Sequence, residues 1–62
     1  MKFEVHRKSG SQTYYWWRIV SSNGNVLSTS ETYWNKQDAI NAADTVRKQA
    51  AAAQIYDYAA AA

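Results

Sequence analysis

Tyr14-Tyr15-Trp16-Trp17-Arg18-Ile19-Val20 decides how this chain folds. Seven consecutive aromatic, β-branched or basic residues favour a strand that buries at least one face. The other segments are arranged to pair with it or to cover it. Upstream, Lys2 to Lys8 alternates, with Phe3 and Val5 on one side and Lys2, Glu4, His6 and Lys8 on the other, the pattern of a half-buried strand. Residues 9–13 form a polar link of hairpin length, in which Gly10 is free to take a positive φ. The aromatic strand then runs to Ser21.

Downstream, Asn23-Gly24 predicts a type I′ hairpin, because that turn needs positive φ at both central residues and this pair supplies it at least steric cost. A two-residue loop sets a register. Ser22 faces Asn25, Ser21 faces Val26, Ile19 faces Ser28 and Trp17 faces Ser30, and opposed residues share a face. One face then carries Tyr15, Trp17, Ile19, Val26, Ser28 and Ser30; the other carries Trp16, Arg18, Val20, Leu27, Thr29 and Glu31. The first sets large residues against small ones and leaves room for a helix. A one-residue slip would exchange the faces.

Tyr33-Trp34 closes the third strand. Asn35 reads as a helix N-cap, with Asp38 in a position like that of a capping box and favourable to the helix dipole. From Lys36 to about Ala51, Ala39, Ala43, Val46 and Ala50 recur at helical spacing with Ala42 beside them, while Arg47, Lys48 and Gln49 suit the C-terminal end. This small-residue stripe can lie close upon aromatic rings. The expected core is therefore Phe3, Val5, Tyr15, Trp17, Ile19, Val26, Ala39, Ala43, Val46 and Ala50.

Gln54-Ile55-Tyr56-Asp57-Tyr58 alternates again and reads as a short fourth strand. The competing reading is a helix continuing through Ala51-Ala52-Ala53, which carry the highest helix propensity. Residues 1–58 thus make one β-β-β-α-β domain of the α+β class, a three-stranded antiparallel meander with one helix packed on one face. Residues 59–62 form a disordered alanine tail.

A 62-residue domain buries only about 60% of its unfolded-chain surface. Extra stabilisation is needed, and there is no cysteine to give disulfides or thiolate metal sites. A lone His6 builds no zinc site. Self-association is the remaining source of core, and nine aromatic residues are enough to furnish an interface. A net charge of +2 excludes no partner class. No apolar run has the length of a membrane span, and residues 1–7 lack the apolar core of a signal peptide, so a soluble cytoplasmic protein is expected.

The order of these elements is joined by particular residues: Phe3-Glu4-Val5, Trp17-Arg18-Ile19, Asn23-Gly24, Ser30-Glu31 with Tyr33, Lys36 with Ala39, Val46-Arg47-Lys48 and Ile55 to Asp57. Together they resemble the YegP-like family of small proteins of unknown function over nearly the whole chain. The resemblance implies a β-β-β-α-β unit that comes in pairs, forms one continuous sheet and swaps its short C-terminal strand. A single unit per chain then implies a homodimer. The chain departs from the family at His6, where Tyr is more frequent, at Trp16, Ala43 and Trp34. The family brings no activity or site residues.

Trp16, Arg18, His6 and Lys8 form the candidate binding surface, on the sheet face away from the helix. Rings beside cations suit single-stranded nucleic acid, through base stacking and phosphate contacts. Against this stand the small net charge, Glu4 and Glu31 in the same region, and the absence of a recognised RNA-binding signature. Catalysis is the weakest class, because His6 has no evident acid or nucleophile partner. The expectation is a non-catalytic dimeric interaction module without metal or cofactor, partnered by itself, not by membrane; single-stranded nucleic acid is the alternative.

Overall fold

The computed structural model describes residues 1–59. Three strands, β1 (Lys2–Lys8), β2 (Tyr14–Val20) and β3 (Val26–Thr29), precede one helix, α1 (Lys36–Ala50). The sheet is antiparallel in the order β1-β2-β3. β2 holds the centre because it alone is rich in large side chains on both faces, and a central strand is covered by neighbours on both sides. Phe3 pairs with Ile19, Glu4 with Arg18, Val5 with Trp17 and His6 with Trp16. The expected α+β meander with one helix is the fold observed.

The β2–β3 turn differs from the expected type I′ geometry. Among the described residues only Gly24 has a positive φ, at 90°, and no non-glycine residue does. The Gly24 N–H donates to the Ser21 carbonyl at 3.0 Å, and the Ser21 N–H donates to the Asn25 carbonyl at 2.8 Å. The result is a four-residue turn over 21–24 followed by a glycine bulge. Asn23 is held by its own side chain, whose Oδ1 accepts from the Ser21 hydroxyl and from the Asn25 N–H. Such local carboxamide bonds are an alternative to the left-handed conformation that a type I′ turn demands.

This turn moves the register near the loop by one residue. Ser21 meets Asn25 instead of Val26, and Val20 pairs with Val26. An irregularity at Ile19/Val20, where β3 carries the extra residue Leu27, restores the expected Ile19–Ser28 pairing. The Ser30 N–H donates to the Trp17 carbonyl at 2.8 Å, so the Trp17–Ser30 relationship also holds. Beyond it, Tyr33 exchanges two 2.7 Å backbone bonds with Tyr15 as an isolated bridge, not as the end of a continuous strand. One residue separates Tyr15 from Trp17 but two separate Ser30 from Tyr33, so β3 is interrupted by a second bulge.

α1 begins as the sequence indicates. Asn35 is extended, and its side chain accepts the Gln37 N–H at 2.8 Å. Asp38 adds a favourable charge to the first turn, though no return bond to Asn35 is present among the described residues. Arg47 and Lys48 close the last turn and pair with Asp44, whose carboxyl they draw below its usual range, Arg47 foremost.

Trp17, Ala39 and Ala43 form the buried centre, with Phe3, Tyr15, Ile19, Tyr33, Ala42 and Val46 packed around it. The alanines let the helix backbone approach the Trp17 ring, a large-against-small fit that limits voids. Three expected core residues lie elsewhere. Val26 is 49% exposed because the turn bulge pairs it with Val20 and so turns it off the helix face. Val5 is 38% exposed because it lies on an edge strand that α1 only partly covers. Ala50 is exposed at the end of the helix. Conversely, Val20 is buried although it lies outside the helix-side cluster, flanked on the central strand by Lys2 and Val26. Tyr33, at the strand-to-helix corner, packs against the core margin.

Residues 54–58 pair with no strand of their own chain. Ile55, Tyr56 and Tyr58 are among the exposed large apolar residues, Ile55 almost completely. Of the expected alanine tail, residues 60–62 lie outside the described residues, and the Ala59 N–H donates to the Asp57 side chain at 2.9 Å. No helix among the described residues is long and apolar enough to cross a membrane.

Candidate functional site on the open sheet face

Alternation along β1 and β2 sends Lys2, Glu4, His6 and Lys8, and Tyr14, Trp16, Arg18 and Val20, to the face opposite α1. The antiparallel register then places Glu4 directly across from Arg18 and His6 directly across from Trp16. Directly opposed side chains of this kind are within contact range. The His6 and Trp16 rings stack, with centroids 4.5 Å apart and planes inclined by 14°. Arg18 Cζ stands 5.9 Å from the Trp16 ring centroid, within cation–π distance.

Glu4 organises the charges. Its Oε1 accepts from Arg18 Nε at 2.7 Å and lies 2.9 Å from His6 Nε2, which donates when that nitrogen carries the proton. Its Oε2 lies 3.2 Å from Lys2 Nζ. Hydrogen bonding from His6, then from Arg18 and Lys2, lowers the Glu4 pKa from 4.5 to about 2. A carboxylate accepting from three cationic or potentially cationic groups is the strongest polar arrangement on this face.

The structure thus brings together three of the four residues expected to form the surface: Trp16, Arg18 and His6. Lys8 sits apart, opposite Tyr14 at the far end of β1. There Tyr14 meets Trp34 edge-on, with centroids 6.5 Å apart, and Trp34 is 68% exposed. A shallow cleft lies between the 9–12 loop, Tyr14 and Trp34. Lys2 and the central role of Glu4 escaped the sequence reading. Alternation put both on the right face, but only the β1–β2 register, which the five-residue 9–13 link does not dictate, shows that Glu4 opposes Arg18.

The chemistry of this face is that of a satisfied network. Arg18, Lys2 and His6 are turned towards Glu4, His6 occupies one side of the Trp16 ring, and Lys8 stands apart from the network. A carboxylate ionised down to about pH 2 is a poor general acid or base near neutrality. No group of three or more His, Asp or Glu side chains among the described residues could hold a metal ion.

No curated protein and no solved structure matches the chain. The family model for a domain of unknown function, DUF1508, matches residues 11–57, from the link before β2 through α1 and into the C-terminal segment, in keeping with the resemblance seen in the sequence. With well over half of its residues matched, the chain belongs to the DUF1508 family.

Proposed function

We propose that this protein is a non-catalytic, homodimeric interaction module whose C-terminal segment serves self-association. The observation that carries this reading is the state of residues 54–58. They present Ile55 at 97%, Tyr56 at 68% and Tyr58 at 90% exposure, and their hydrogen bonds are local, as in Tyr56 Oη to Gln54 at 2.8 Å. An apolar, strand-forming segment left unpaired is a ready interface element. The chain's radius of gyration, 14.2 Å against about 11 Å for a compact domain of this length, shows how far it extends beyond the packed unit. The few fully buried residues of the single chain add to the case, since association would enlarge a small core.

Sedimentation at micromolar concentration tests this reading. A mass near twice 7.0 kDa is expected, and a folded 7.0 kDa monomer overturns it. The nucleic-acid alternative would use Trp16, Arg18, His6 and Lys8, and the convergence of Arg18, His6 and Lys2 on Glu4 weighs against it. Titration with single-stranded oligonucleotide at low salt is expected to leave Trp fluorescence unchanged. Salt-sensitive binding would favour the alternative.

A further inference from the structure

Resting on the interaction-module reading, we propose that the end of the sheet where β1 finishes and α1 begins docks an acidic peptide segment, with Trp34 seating an apolar side chain and Arg7, Lys8 and Lys36 meeting carboxylates.

The cations of this chain fall into two sets. Of the seven Lys and Arg residues, Lys2 and Arg18 pair with Glu4, and Arg47 and Lys48 pair with Asp44. Arg7, Lys8 and Lys36 have no carboxylate partner among the described residues. A paired cation meets an incoming anion only by giving up part of what it already holds, and an unpaired one carries no such cost. The unpaired set is not scattered. Arg7 and Lys8 are the last residues of β1, and Lys36 is the first of α1.

The fold brings these charges to two hollows beside aromatic rings. In the β1–β2 register Arg7 opposes Tyr15 and Lys8 opposes Tyr14, and Tyr15 in turn bridges to Tyr33. One hollow, of about 480 Å³, opens between the outer edge of β1 and the start of α1 and is lined by Val5, His6, Arg7, Tyr15 and Lys36. The other is the cleft of about 470 Å³ beside the 9–12 loop, where Lys8 stands with Tyr14, Thr32 and Trp34. Trp34 and Lys36 lie on either side of the N-cap Asn35, so the strand-to-helix corner joins the two hollows. Glu31 and Asp38, which flank this corner in the chain, line neither of them.

Trp34 supplies what the charges lack. Its ring is widely exposed and yet held. Tyr14 meets it edge-on, Tyr33 before it is fixed by two backbone bonds to Tyr15, and Asn35 after it caps α1. A large, rigid, exposed indole is a residue type that commonly dominates binding energy at a protein contact, since little freedom is lost when a partner covers it. Ser9, Ser11 and Gln12 bring donors and acceptors to the same cleft for the backbone of an extended segment.

The arrangement selects the class of partner. Arg7 lies on the helix side of the sheet end and Lys8 on the other, so no flat anionic surface meets both. Tyr14 and Tyr15 are half-buried, which leaves Trp34 as the one widely exposed ring at this corner. One such ring seats one side chain, whereas single-stranded nucleic acid needs successive rings along a cationic groove. A short acidic segment bent around the corner reaches both hollows, and its carboxylates match cations that have none of their own.

The isotope-labelled full chain is titrated at low salt, by nuclear magnetic resonance, with a pool of short acetylated peptides in which Glu or Asp flanks a central Phe, Leu, Ile or Trp. Saturable shifts are expected at residues 7–12 and 34–36, the Trp34 indole N–H included, and they fade as salt is raised. Trp34→Ala, Lys8→Glu and Lys36→Glu are each expected to weaken binding about fivefold or more, with circular dichroism retained. Lys48→Glu, which changes the net charge as much as either lysine reversal, is expected to leave binding within about twofold of the wild type. No saturable shift, shifts centred on Trp16 and Arg18, or undiminished binding in the Trp34 and Lys8 variants overturns the site. An equal loss in Lys48→Glu shows attraction by net charge alone and overturns it too. A single-stranded oligonucleotide that shifts the same residues and displaces the pool overturns the acidic-peptide class. Sedimentation keeps the two readings apart: a dimer that does not bind the pool overturns the site alone, and a folded monomer that binds it overturns the dimer alone.

Discussion

The backbone N–H of Trp17 donates to the side-chain Oγ of Ser30 at 2.9 Å, not to a strand carbonyl. The second bulge of β3 withdraws the usual acceptor at the point where the central ring of the core is attached. The Ser30 hydroxyl replaces it as acceptor and itself donates a hydrogen bond to the Glu31 carbonyl at 2.7 Å. Ser30→Ala therefore leaves a backbone donor unpaired beside the core and is expected to cost about 1–3 kcal/mol in a urea titration. A loss within error would show that water takes over the bond.

The two adjacent tryptophans should separate sharply. Trp17 is 8% exposed against Ala39 and Ala43, so Trp17→Ala is expected to cost about 3–5 kcal/mol. Trp16 stacks on His6 on the open face, and its removal forfeits a ring contact worth about 0.5–1.5 kcal/mol plus partial burial. Equal losses from the two substitutions would contradict the assignment of faces.

Glu4 makes acid stability predictable in sign. Its pKa falls from 4.5 in the unfolded chain to about 2 in the folded one, so its contribution is complete above pH 4.5 and is lost as pH falls towards 2. The stability difference between the wild type and Glu4→Gln should shrink as pH falls from 4.5 to 2 and diminish in high salt. A difference that grows on acidification would contradict the network.

The two glycines should respond oppositely to alanine. Gly24 has a φ of 90°, and a side chain placed there meets no atom within 4 Å, so the cost is one of backbone alone. Gly24→Ala is expected to destabilise by about 1–2 kcal/mol. Gly10 has neither a positive φ nor a neighbour within 4 Å, and Gly10→Ala should stay within about 0.5 kcal/mol of the wild type. Thermal melts of the pair at equal concentration give the comparison.

Much of the fold was legible in the chain. Alternation in Lys2–Lys8 and the aromatic density of Tyr14–Val20 identified two strands, and Asn35 marked the start of α1. The same alternation put Trp16, Arg18 and His6 on one face. It failed at Val26 because face assignment was carried from the turn, and the turn took a different form. Lys8 was on the right face but too far along the strand to join the cluster.

What the sequence by itself determined are the properties that depend on neighbours in the chain: strand or helix, which side chains alternate together, the capped helix start, and Trp17 facing inward beneath a stripe of alanines. Tertiary structure alone decided the rest. The register of β1 on β2 made Glu4 the common partner of Arg18 and His6, and the turn held by the Asn23 side chain placed Gly24 at positive φ and moved Val26 off the core face. The position of α1 over β1 and β2 left one edge groove open. These are matters of long-range pairing, and a shift of one residue, invisible in composition or periodicity, exchanges every partner across a sheet.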